Sequence, residues 1–185
     1  MPLREPFEVW GLHGLERLSV DGSVDRVQIA QAWLSALEDA KRWLQSQRLT
    51  QFAEDKYGSI AIHWRGLGRA DVDDLRERVL LGWSPMARQV GLELLDFDGG
   101  IEIRVPAANK GNAVRTLLSN SAAGTPAAYL GDDRTDEDAF LAIRNSGVGV
   151  LVRESYRPTA AEIWLRPPEE LLAFLEAWLA ASRRP

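Results

Sequence analysis

The sequence contains no cysteine. That excludes a disulfide framework, thiolate nucleophiles, and cysteine-ligated zinc or iron–sulfur centres. Only two histidines are present, His13 and His63, too few for a histidine-rich metal centre. Positive charge is also short: 22 Lys and Arg face 27 Asp and Glu, a formal charge of −5. A face that neutralises nucleic-acid phosphates needs the opposite balance, so no nucleic-acid partner is expected. No apolar run approaches the ~20 residues of a membrane helix. Residues 1–6 lack the apolar stretch of a secretory signal. A cytoplasmic protein without a membrane partner is the expectation. What remains is ordinary globular composition, 185 residues with 45% hydrophobic and 26% charged, enough for one domain or two small ones.

Hydrophobic spacing divides the chain in two. Ile29, Trp33, Leu34, Leu37, Ala40 and Leu44 recur at helical intervals and predict a helix over about 27–47. Residues 59–65 alternate strictly, with Ile60, Ile62 and Trp64 opposite Ser59, Ala61, His63 and Arg65. A second helix is expected over 71–90, kinked or interrupted by Pro85. Segments 91–95 and 101–105 flank the turn sequence Asp96-Phe-Asp-Gly-Gly100 and read as a hairpin. Beyond residue 106 the rhythm changes. Apolar segments at 127–130, 148–152 and 162–165 alternate with helical stretches at 110–119, 135–145 and 167–181. That alternation predicts a parallel α/β sheet. An antiparallel α+β module over about 15–106 and an α/β module over about 107–185 follow.

Five carboxylates crowd the seven residues from Asp132 to Asp138. Thr135 is a good helix N-cap, and Asp136, Glu137 and Asp138 suit a first helical turn. Asp132 and Asp133 precede the cap, at the carboxyl end of a buried strand, where open α/β sheets place ligands. Adjacent carboxylates repel unless a cation or a basic group relieves them. Hard oxygen donors suit Mg²⁺, and a structural turn fits the same residues. Lys110 falls in a first helical turn behind Asn109, an unfavourable place for a cation unless an anion is near. A phosphate site or a solvated lysine both account for it. The polar faces of the two alternating segments present Ser59, His63 and Arg65 beside Glu102 and Arg104. A solvated face with cross-strand ion pairs and a face that reads sugar hydroxyls would have this same pattern. His13, in a Gly-flanked loop with Glu16 three residues on, is a weak further signal.

In chain order these pieces resemble the trehalose-6-phosphate phosphatases, a branch of the haloacid dehalogenase superfamily. The matching segments are Gly11-Leu-His-Gly-Leu-Glu16, residues 54–65, Glu102-Ile-Arg104, Asn109-Lys-Gly111, Gly131-Asp-Asp-Arg-Thr-Asp-Glu-Asp-Ala-Phe140 and Thr159-Ala-Ala161. The resemblance implies an α/β fold: a partial Rossmann-like haloacid dehalogenase core with an inserted α+β cap. Residues 1–14 would be a residual core strand and loop, 15–106 the cap, and 107–185 the C-terminal half of the core. It implies Mg²⁺-dependent hydrolysis of trehalose 6-phosphate through a phospho-aspartate. Lys110 would stabilise the phosphoryl group and the nucleophile. Asp132 would ligate Mg²⁺, supported by Asp133 and Asp136. Glu16, Arg65 and Glu102 match cap positions that contact the disaccharide, with His63 and Arg104 on the same strands. The cap would close over the core and exclude water during transfer.

Two departures matter. The family's nucleophile lies in an Asp-x-Asp-Gly-Thr motif ahead of the cap, and no such motif occurs in this sequence. Asp96-Phe-Asp-Gly-Gly100 lacks the threonine and sits where a hairpin turn is expected. A lysine the family carries ahead of the strand bearing Glu102 is also missing. The resemblance therefore implies a phosphatase fragment, inactive alone, with an N-terminal segment absent or supplied in trans. The competing expectation is a non-catalytic module that binds a sugar phosphate or regulates.

Overall fold

A computed structural model describes residues 7–182. Residues 1–6 and 183–185 lie outside the described residues; the segment read for a secretory signal, the start of the expected 1–14 piece and the end of the expected 107–185 piece fall there. The chain divides into two compact units, residues 1–109 and 110–185.

The first unit opens with three short antiparallel strands, β1 (Val9–Gly11), β2 (Glu16–Leu18) and β3 (Val24–Arg26), in that order. The helix α1 (Gln31–Ser46) follows, then β4 (Ala53–Lys56), β5 (Ser59–His63), α2 (Arg69–Val90), β6 (Glu93–Phe97) and β7 (Gly100–Arg104). The last four strands pair antiparallel in the order β4-β5-β7-β6. One face of this sheet is aliphatic because the strands alternate. Ile60 and Ile62 of β5 and Ile101 and Ile103 of β7 meet Leu37, Ala40 and Leu44 of α1 and Leu75, Val79 and Trp83 of α2. α2 runs unbroken through Pro85. Pro85 and Leu81, whose carbonyl loses its i+4 donor to the proline, are both exposed. Gly91, at φ 75°, ends the helix in the left-handed conformation, its N–H donating to the Ala87 carbonyl. The expected hairpin joins β6 and β7, but its turn is only Asp98 and Gly99, because Asp96, Phe97 and Gly100 are paired within the strands.

The second unit contains α3 (Lys110–Asn120), β8 (Ala128–Gly131), α4 (Glu137–Ile143), β9 (Val148–Val152), β10 (Ile163–Leu165) and α5 (Glu169–Ser182). Its sheet is parallel throughout, in the order β10-β9-β8, as strands alternating with helices require. Val114 of α3 packs with Ala139 and Ile143 of α4. Here the expected N-cap is wrong. A 3₁₀ turn, Arg134–Asp136, precedes α4, and Asp133 caps it in a reciprocal capping box with Asp136. Helix entry starts two residues early, which leaves the Thr135 hydroxyl for other use. No helix of the described residues is long and apolar enough to cross a membrane.

Candidate functional site

The predicted residues fall into two groups, one in each unit. In the second unit, β8 ends at Gly131 and the chain turns through Asp132 and Asp133 into the 3₁₀ turn. Asp136 folds back beneath that turn. Its Oδ2 accepts from the amides of Asp132 and Asp133, both at 2.9 Å, and its Oδ1 accepts from Lys110 Nζ at 2.6 Å and Tyr129 Oη at 2.7 Å. A Cβ at Gly131 would stand 2.5 Å from Asp136 Cγ, so this close approach requires glycine. Lys110 Nζ also lies 3.3 Å from Thr135 Oγ1. Burial alone would raise Asp136; the Lys110 ammonium, the Tyr129 hydroxyl and the Asp133 amide reverse that and hold its carboxyl below the ordinary range. Tyr129 shifts the other way, raised by burial and by the Asp136 charge.

Mg²⁺ takes one or two carboxylates together with waters or phosphate oxygens. Asp132 fits that demand: it is exposed, and among the described residues no hydrogen bond or ion pair to its carboxylate is present. Asp136 does not fit. Four donors already occupy its two oxygens, so it orients the turn and Lys110. Asp133 Oδ1 accepts from the Arg134 amide as the cap of the turn. Among the described residues, no group of three or more His, Asp or Glu is placed to hold a metal ion by itself.

In the first unit, strand register puts Glu54 and Lys56 of β4, Ser59 and His63 of β5, Glu102 and Arg104 of β7 and Glu93 of β6 on one sheet face. At its centre this face is not solvated, because Glu102 and Arg104 are 2% and 3% exposed. The loop Leu12–Gly14 brings His13 Nε2 to 3.4 Å from Glu102 Oε1. Burial raises the Glu102 carboxyl, but His13, the Ser59 hydroxyl and Lys56 outweigh it and leave it below its usual value. Arg104 pairs with Glu93, at 3.0 Å from Nε, and His63 with Glu54 at 2.8 Å. Arg65 lies just past β5, donating to the Asp98 carbonyl at the hairpin tip. Glu16 is on β2, paired with Arg26 at 2.5 Å.

Sequence reasoning passed over Tyr129, although a lone phenol in an aliphatic strand is a usable signal. It also passed over Arg153 and Arg157, which donate to the carbonyls of Asp132 and Asp133. They lie some twenty positions away, and no local pattern marks them.

Known proteins resemble the chain in both sequence and fold. The family model for trehalose-phosphatase matches residues 7–167. A trehalose-phosphate phosphatase from Mycobacterium marinum is 31% identical over 180 residues, covering 90% of this chain and 45% of the relative. Among solved structures, the C-terminal domain of the Candida albicans trehalose-6-phosphate phosphatase superposes with a TM-score of 0.74 at 18% identity, over 94% of this chain and 71% of that one. A haloacid dehalogenase-like hydrolase from Bacteroides thetaiotaomicron gives 0.55 at 11% identity, over 90% and 74%; at such identities the likeness concerns the fold alone. The chain spans 13 to 50% of the curated relatives first matched. A family match running through both units, on a haloacid dehalogenase-like α/β fold with a second α+β unit, places this chain in the trehalose-phosphatase family.

Proposed function

We propose that this chain supplies the sugar-reading and phosphate-orienting parts of a Mg²⁺-dependent phosphatase acting on trehalose 6-phosphate, and does not turn substrate over alone. The observation that supports this most is the Lys110–Asp136–Asp132 arrangement at the carboxyl end of β8. Asp136 holds Lys110 by an ion pair while the Asp132 carboxylate stays uncommitted. On this reading Lys110, one-third exposed, meets the phosphate, and Asp136, with 3% of its side chain exposed, keeps that ammonium oriented. Thr135 and Tyr129 hold the pair in place. Mg²⁺, held by Asp132 together with carboxylates from outside this sequence, would supply positive charge for the phosphoryl oxygens.

The polar sheet face of the first unit reads the disaccharide through His63, Arg65, Glu102 and Arg104, with Glu16 from β2. Residues 15–106 then serve as the cap, residues 1–14 as a remnant of the core, and 107–185 as its C-terminal half, in a cytoplasmic enzyme. The nucleophile comes from an Asp-x-Asp-Gly-Thr segment, joined to the chain or supplied in trans. A fusion carrying that segment ahead of residue 7 tests the reading. It should release phosphate from trehalose 6-phosphate only with Mg²⁺, and Lys110→Ala should lower the rate at least ~100-fold. A folded fusion that binds the sugar phosphate at micromolar concentration yet releases nothing would instead favour a non-catalytic binding module.

A further inference from the structure

The segment between β9 and β10 makes a set of contacts that the chemistry above leaves unused. Arg157 Nη2 donates to the Asp133 carbonyl at 2.6 Å, while its Nη1 pairs with Glu137 and reaches the Pro158 carbonyl at 3.1 Å. Glu137 in turn accepts from Thr159 Oγ1 at 2.8 Å and the Ala160 amide at 2.7 Å. Arg153 Nη1 donates to the Asp132 carbonyl at 3.0 Å, and its own carbonyl accepts the Trp164 indole N–H at 2.9 Å. Asp136 Oδ2 already holds the amides of Asp132 and Asp133. All four backbone polar groups of the Asp132–Asp133 dipeptide are therefore tied, the amides from below by a carboxylate and the carbonyls by two guanidinium groups. Only the side-chain torsions of Asp132 remain free.

A loop anchor alone would need no more than Glu137, whose carboxylate gathers Arg157, Thr159 and Ala160. The guanidinium contacts to the Asp132 and Asp133 carbonyls go further, because they restrain the one turn that carries the uncommitted carboxylate. Arg157 is well suited to this. Its planar fork spans a carbonyl and a carboxylate at once, and its side chain is 14% exposed, sheltered from competing water. We propose that Arg157, assisted by Arg153, is a positioning residue that fixes the Asp132–Asp133 backbone so that the Asp132 carboxylate is presented to a divalent cation in one pose. This rests on the reading of Asp132 as the cation's ligand.

Amide hydrogen exchange by NMR on the full chain tests it, comparing wild type, Arg157→Ala, Arg157→Lys and the surface control Arg166→Ala. In Arg157→Ala the Asp132 and Asp133 amides should exchange at least ~10-fold faster, while Val150 and Leu151 of β9 stay within ~2-fold of the control. Arg157→Lys, with one ammonium for two acceptors, should recover only part of the protection, and it carries the comparison if the alanine variant does not fold. Unchanged exchange at Asp132 and Asp133 would overturn the proposal. So would acceleration spread equally through β9, since that would make Arg157 a general support of the fold. Mn²⁺ serves as the metal probe: broadening at residues 131–133 should need at least ~5-fold more Mn²⁺ in Arg157→Ala. Local acceleration with no Mn²⁺ broadening in wild type would uphold the positioning and remove Asp132 as a ligand.

Discussion

Asp136 and Asp132 are four residues apart and have opposite fates. Asp136 is buried, with Lys110, Tyr129 and two amides on its oxygens, whereas Asp132 is exposed and uncommitted. Removing the buried charge leaves Lys110 without its partner, so Asp136→Asn should cost ~3 kcal/mol in urea unfolding followed by circular dichroism. The sign of the pH dependence follows from the lowered folded-state value. That stabilisation is fully present above the unfolded carboxyl value near ~4 and is lost as pH falls through the lower folded value. Wild type should lose stability on acidification below about pH 4 more steeply than Asp136→Asn; parallel slopes would contradict the assignment. Asp132→Asn should change stability by no more than ~0.5 kcal/mol, since among the described residues no hydrogen bond or ion pair holds that carboxylate.

At the scale of elements, the sheet face between β4 and β6 depends on the helices packed against its other side. Trp83 of α2 is fully buried in that core, and Trp83→Ala should lower unfolding free energy by ~3–5 kcal/mol in the same urea titration. A loss below ~1 kcal/mol would mean the helix does not hold the sheet. Much of this architecture was legible in the sequence, because alternation of period two in β5 and β7 and helical spacing in α1 are local properties. The spacing assigned Glu102 and Arg104 to one face correctly. It could not tell that the loop bearing His13 lies over that face, since a strand's period says which side a residue faces and nothing about what covers it. The strand β4, four residues without alternation, left no pattern to read. Thr135 had the residue type of a cap but lost the role to Asp133, because the 3₁₀ turn moved the helix entry. Arg153 and Arg157 were invisible for a different reason: their partners are set by the return of a loop between two strands.

The whole molecule is two units with separate cores, and the proposed function assigns each of them a part in sugar-phosphate hydrolysis. The first concentrates charged and hydroxyl groups on a sheet face. The second aims Lys110 and Asp132 from the edge of a parallel sheet. Membership of the trehalose-phosphatase family binds the two readings together, and the chain spans half or less of the curated relatives first matched. On the proposed reading the nucleophile comes from an Asp-x-Asp-Gly-Thr motif, which does not occur in this sequence. On that reading covalent phosphoryl transfer has no path in this chain alone. The most direct test incubates the purified chain with trehalose 6-phosphate and Mg²⁺ and measures released phosphate against the Lys110→Ala variant. No release above that control is expected; clear turnover that disappears with Lys110→Ala would contradict the claim that the chain lacks its nucleophile.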